Sequence, residues 1–293
     1  MLEEVGRKDL PKRHAGAIGV FDSGYGGLTV LQHLMRALPE HDFIYLGDNA
    51  RAPYGPHSFE VIYRYTKEAV SFLFEVGCPL VILACNTASA RALRTLQQRD
   101  LPISDDPTRR ILGVIRPVVE YLGRQQVATH VGLVGTRATV SSNSYGLEVE
   151  KYAPEIKLTQ LETPMWVPLV EQGEVEDNEG VRFFLQRDLQ RLLGLDPEIT
   201  LVQLACTHYP LLLPRIRELL PTGVEAIEQG PIVAASLVDY LQRHPEMAQR
   251  LNQSYKRSYY TTEEPSRFAD MASHFLGQPL DPAIVSHVTL PTL

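Results

Sequence analysis

The sequence predicts an α/β protein of two pseudo-symmetric domains, each a mostly parallel sheet flanked by helices, with an active site in the cleft between them. Three observations carry this. Short apolar runs alternate with amphipathic stretches from residue 16 onward, and repeated β-then-α units build parallel sheets covered by helices on both faces. Most apolar runs end in small and polar residues, where open parallel sheets bind their ligands. Finally, the two halves echo each other. In each, one apolar run ends in Asp-Ser-Gly or Gly-Thr and a later one ends in Cys-Asn-Thr or Cys-Thr-His, with the two cysteines about one domain length apart.

The elements follow in order. AIGVF is a buried strand, DSGYGG a turn and LTVLQHLMRAL a helix by its spacing. FIYLGD is a second strand, followed by the loop NARAPYGPHS and a long helix from Phe59 to Val76. PLVILA reads as a strand and TASARALRTLQQ as a helix. A polar, proline-bearing break spans Arg99 to Arg110. The pattern then restarts with ILGVI, the helix RPVVEYLG, and the strands HVGLVGT, IKLTQLE and ITLVQLA. VEAIEQG and the helix IVAASLVDYLQR lead back to the first domain, KRSYYTT reads as an edge strand and SRFADMASHFLG as a short helix. The expected division is a flexible leader at 1–15, a discontinuous first domain at 16–108 plus about 226–264, a second domain at 109–225 and a C-terminal extension at 265–293.

Composition narrows the function. The 293 residues carry a net charge of −7 and no basic stripe, which argues against nucleic acid as a partner. No run approaches the ~18 apolar residues of a membrane helix. The charged N-terminus lacks the apolar core of a signal peptide, as expected of a cytoplasmic protein. Three cysteines without CxxC or zinc spacing suggest neither a disulfide framework nor a metal site. DSGYGG has neither the GxGxxG nor the Walker spacing of a nucleotide loop.

Cys78 reads as a small buried hydrophobe. Cys85 and Cys206 each stand where a strand hands over to a helix, and helix N-termini and polar neighbours stabilise thiolates. Two such thiols on opposite walls of a cleft suit the inversion of a stereocentre, in which one removes a proton and the other returns one to the opposite face. No lysine lies in a motif to hold pyridoxal phosphate, so no cofactor is expected, and hydrogen bonds must stabilise the carbanion.

VFDSGYGGLTVL, YLGDNARAPYG, ACNTASA, LVGTRATV, PLVEQGE and ACTHYPLL stand in one order between Gly16 and Gly230. Together they resemble the glutamate racemase family of the cofactor-independent aspartate/glutamate racemase superfamily. The resemblance implies a homodimer that acts on glutamate, a small molecule, and makes D-glutamate for bacterial peptidoglycan. It implies that Cys85 serves D-glutamate and Cys206 L-glutamate. Asp22 and Ser23 would meet the ammonium end. Tyr54, Gly55, Asn86, Thr87, Thr207 and His208 would hold the substrate, with Thr136 and Thr139 as helpers, and Asp22, Asp48, Glu171 and His208 would assist the thiols. Plain structural alternatives stand beside these roles: Asp22 as a helix cap, His208 as a core histidine, Glu171 as a surface residue, and Asp48 and Tyr54-Gly55 as turn residues. Ala205 stands where the family commonly has glycine, Glu228-Gln229 replaces its usual Asp-Pro or Asp-Ser, and the segment beyond about Glu263 has no evident counterpart. A racemase of aspartate or another acid, an amino-acid-binding protein and a thiol redox protein are the competing readings.

Overall fold

The computed structural model describes residues 15–125, 129–176 and 178–291. The expected leader lies almost wholly outside them. Among the described residues ten strands form two sheets: β1 (Ile18–Asp22), β2 (Phe43–Gly47), β3 (Leu80–Leu83), β4 (Arg110–Gly113), β5 (His130–Gly135), β6 (Lys157–Glu162), β7 (Leu201–Ala205), β8 (Glu225–Ile227), β9 (Arg257–Thr261) and β10 (Val285–His287). The first sheet has the order β10-β9-β2-β1-β3-β4 and the second β6-β5-β7-β8. All pairings are parallel.

Strands β1, β2 and β3 are buried along their whole length. A parallel sheet covered on both faces demands such unbroken apolar runs. On one face of the first sheet lie helices Gly27–Ala37, Gly230–Arg243 and Pro265–Leu276, through Leu28, Leu31, Val233, Leu237 and Phe268. On the other lies helix Phe59–Glu75, through Ile62, Ala69 and Leu73. The second sheet packs Val131 and Leu133 against helices Ile115–Gln125 and Ser144–Tyr152. Its other face meets helices Trp166–Glu171 and Glu179–Leu195. That last core runs without a break into the first domain, so the two sheets share one apolar body.

Both sheets are built alike about a central strand. From β1 the chain goes to β2 on one side and then to β3 on the other. From β5 it goes to β6 and then to β7 in the same manner. The gap beyond the carboxyl ends of such a strand pair is where open α/β sheets bind ligands. Register aligns Phe21 with Leu83 and Gly135 with Ala205. The four segments that emerge there are Asp22-Ser23, Cys85, Thr136 and Cys206.

Sheet membership differs from the sequence reading in three places. β4, expected to open the second domain, completes the first sheet beside β3. β8, expected to return to the first domain, pairs with β7. The KRSYYTT segment is no edge: β9 lies between β2 and β10, with Tyr259, Tyr260 and Thr261 buried. The strand that covers it, β10, has three residues, too few to show an alternating pattern. The chain thus crosses between the sheets twice, through the helices at 115–125 and 230–243.

Candidate active site

Cys85 follows β3 and is the N-cap of the short helix Asn86–Arg91, its Sγ accepting the Ala88 N–H at 3.4 Å. Ser23, just beyond β1, stands 3.4 Å away through its hydroxyl. Burial pushes the Cys85 thiol up to about 12, and the nearby Asp22 carboxylate adds to this; the Ser23 and Ala88 hydrogen bonds do not offset it. The sequence suggested a stabilised thiolate at this helix start. The structure instead keeps Cys85 a thiol, because two weak hydrogen bonds cannot replace lost water in a closed site.

Cys206 follows β7 and has different company. His208 Nδ1 lies 3.9 Å from its Sγ, and His208 Nε2 is 3.1 Å from Glu171 Oε1. Burial would lower the imidazolium, but the hydrogen bonds and charges of Cys206 and Glu171 override it and lift His208 to about 10. The ring therefore carries its proton at neutral pH and offers a charged donor to the sulfur. Phe275, from the C-terminal helix, backs it edge-on with 5.3 Å between ring centres.

Both sulfurs line one small cavity between the domains, with Ser23, Tyr54, Gly55, Asn86, Thr87, Thr136, Glu171, Thr207 and His208. Asp22, Asp48 and Thr139 stand one layer behind. Asp22 is fully buried, and this raises its carboxyl despite the His208 charge and a hydrogen bond from Gly24 N–H at 2.9 Å. It is not the N-cap of the following helix, which is Gly26, but its carboxyl meets the Gly27 N–H at the helix start. Asp48 accepts from the Tyr54 hydroxyl. Thr139 completes a triangle of hydroxyls with Thr87 and Thr136, at 2.9, 3.0 and 3.4 Å.

Side-chain hydrogen bonds hold the two walls together. Thr207 Oγ1 donates to Asp22 Oδ2 at 3.2 Å, and Thr29 Oγ1 donates to the Thr207 carbonyl at 3.0 Å. Asn86 Nδ2 donates to Tyr145 OH at 2.8 Å. Gly26 marks the tightest approach: a Cβ there would fall 2.3 Å from Thr207 Oγ1 and 2.5 Å from His208 Nδ1. The cavity measures only about 30 Å³, whereas ligand pockets run to roughly 300–1,000 Å³, so the domains stand closed on one another. A larger cavity of about 350 Å³ between the helices at 115–125 and 230–243 contains neither thiol.

Sequence reasoning missed Ala52, Pro53 and Val167 on the cavity wall and Tyr145 behind Asn86. The apolar lining residues carry no chemical signal, and Tyr145 lies in an ordinary amphipathic helix. Arg51, Arg116 and Arg137, near the motifs, pair with Asp48, Glu120 and Glu162, and none of them lines the cavity.

Residues 18–237 match the sequence profile of the Asp/Glu/Hydantoin racemase family, most of the chain. The chain belongs to this family. Among Asp/Glu/Hydantoin racemase relatives, a glutamate racemase of Dinoroseobacter shibae is 38% identical over 90% of this chain and 97% of its own length. A solved glutamate racemase of Bacillus anthracis is 31% identical with a TM-score of 0.82, covering 95% of this chain and 99% of that one. One from Francisella tularensis, determined in complex with D-glutamate, is 29% identical with a TM-score of 0.81 over the same shares. No helix among the described residues is long and apolar enough to cross a membrane. The C-terminal extension is not wholly without counterpart: 265–293 is about a tenth of the chain, more than a match covering 95% leaves out.

Proposed function

We propose that this protein is a glutamate racemase that moves the α-proton between two thiols without a cofactor. The observation that carries the reading is that Cys85 and Cys206, ending equivalent strands of two equivalent sheets, meet in one cavity. In the L-to-D direction the Cys206 thiolate, paired with the His208 imidazolium, takes the Cα proton. The electron pair left on carbon delocalises into the α-carboxyl group, held by the neutral hydroxyls and amides around Asn86, Thr87 and Thr207. The Cys85 thiol then donates its proton to the opposite face. The D-to-L direction exchanges the roles.

The two environments favour this assignment. A thiol held near 12 is a proton donor at rest, and the protonated His208 beside Cys206 would stabilise the thiolate that takes the α-proton there. Glu171 positions His208, and Asp22 would receive the substrate ammonium together with Ser23. Among the described residues no lysine lines the cavity to form a Schiff base. The D-glutamate formed would enter bacterial peptidoglycan, and the functional unit would be a homodimer. The test is circular dichroism of the purified protein with L-glutamate in D₂O, with no pyridoxal phosphate or metal added. Decay of the optical signal with deuterium entering at Cα supports the reading; a stable signal and no exchange refute it.

A further inference from the structure

Two buried carboxylates and a partly exposed guanidinium meet behind one wall of the cavity. Asp48 follows β2, Arg51 lies in the turn Asn49–Arg51, and Glu68 sits mid-way along helix Phe59–Glu75. Asp48 is completely buried and Glu68 is 3% exposed. Arg51 joins them, its Nε donating to Asp48 Oδ2 at 2.7 Å and its Nη1 to Glu68 Oε2. Its guanidinium lies over Tyr65, 4.0 Å from the ring centre. From the end of β9, Thr262 Oγ1 donates to the other Asp48 oxygen at 2.9 Å.

A buried charge group of this kind gains little stability over apolar residues of the same volume, because desolvation offsets the attraction. It does impose direction. With Arg51 and Tyr54 on one oxygen and Thr262 on the other, the Asp48 carboxylate is held from both sides. The Tyr54 hydroxyl is held in turn. Residues Ala52 to Gly55, which follow Arg51 and include this anchor, form a cavity wall.

We infer that Glu68 and Arg51 are positioning residues for substrate binding. Glu68 holds Arg51, Arg51 and Thr262 hold the Asp48 carboxylate, and Asp48 fixes Tyr54 and with it the wall against which the substrate lies. Asp48 acts here on the wall, with no hydrogen bond of its own to either thiol. The inference rests on the proposed function of this cavity.

The experiment compares the parent with Glu68→Gln and with the double variant Arg51→Met/Glu68→Met, which removes one charge of each sign and leaves Asp48 its hydrogen bonds from Tyr54 and Thr262. Racemisation of glutamate is followed in both directions, D-glutamate affinity is measured by calorimetry, and folding is checked by thermal melting. A loosened wall weakens ground-state and transition-state binding alike, so KM rises about tenfold or more while kcat changes less. A merely structural role lowers the folded fraction, so kcat falls at unchanged KM. The double variant separates charge balance from position: it folds, yet its KM stays raised. KM and affinity within about twofold of the parent in both variants would overturn the inference. A parent that neither racemises glutamate nor binds D-glutamate overturns the proposed function itself, and the inference with it.

Discussion

Replacing Gly26 by alanine adds one carbon at the point where the walls touch. The backbone accepts it, since Gly26 has φ −57° and ψ −35°, values open to any residue. The perturbation is therefore steric alone. The new Cβ would lie 2.3 Å from Thr207 Oγ1, 2.5 Å from His208 Nδ1 and 2.8 Å from His208 Cε1, where ordinary contact begins near 3.4 Å. The Thr207–His208 turn must retreat by about 1 Å, taking with it the Thr207 bond to Asp22 and the His208 approach to Cys206. Overpacking of this kind costs about 1–3 kcal/mol of stability. A displacement of about 1 Å at a reacting group costs roughly 100-fold in rate, or about 2.7 kcal/mol of barrier. The assay is kcat/KM for both enantiomers by circular dichroism. The two enantiomers have equal free energy, so the two values must stay equal to each other while both fall, which provides an internal check. A folded Gly26→Ala protein with kcat/KM within about threefold of the parent would refute the close-approach reasoning.

Other outcomes follow from the same geometry. On the proposed mechanism, Cys85→Ser and Cys206→Ser should each lose roughly 10³-fold or more in kcat, since each would remove an acid–base group. Cys78→Ser should leave KM unchanged, because its sulfur lies behind Gly19, away from the cavity. His208 is raised from 6.5 to about 10, so its proton contributes stability that is complete below about pH 6.5 and is lost as the pH rises through about 10. The urea midpoint of the parent should fall across that window, and that of His208→Asn should stay nearly flat. Trp166→Phe should destabilise by about 1–3 kcal/mol without changing KM, because the buried Asp188 carboxylate loses the indole N–H that it accepts at 3.0 Å.

The parts of the site legible in the sequence were those where the chain changes character abruptly. An apolar run that stops at Cys85-Asn86-Thr87 or Cys206-Thr207-His208 can be only a strand end in a βα repeat, and strand ends of parallel sheets gather. Short or isolated signals did not carry. β8 and β10 have three residues each, and their sheet is chosen by tertiary pairing rather than by pattern. Nothing in YTKEAV sets Glu68 apart within its helix; its partner Arg51 arrives from a loop seventeen residues earlier. The unequal surroundings of the two cysteines were equally hidden, since near-identical strand-to-helix junctions differ only in what the rest of the fold brings beside them.

That inequality has a consequence for turnover. On the two-thiol reading, each L-to-D conversion leaves the protein with its proton on Cys206 and none on Cys85. Burial of Cys85 disfavours its anion, so this form is a costly one to hold. The catalyst thus keeps a memory of the direction it last ran, and must reset by running backward or by exchanging a proton with solvent. Equal chemistry on mirror-image substrates is performed by a protein that is not its own mirror image, and the difference is stored between turnovers as the location of a single proton.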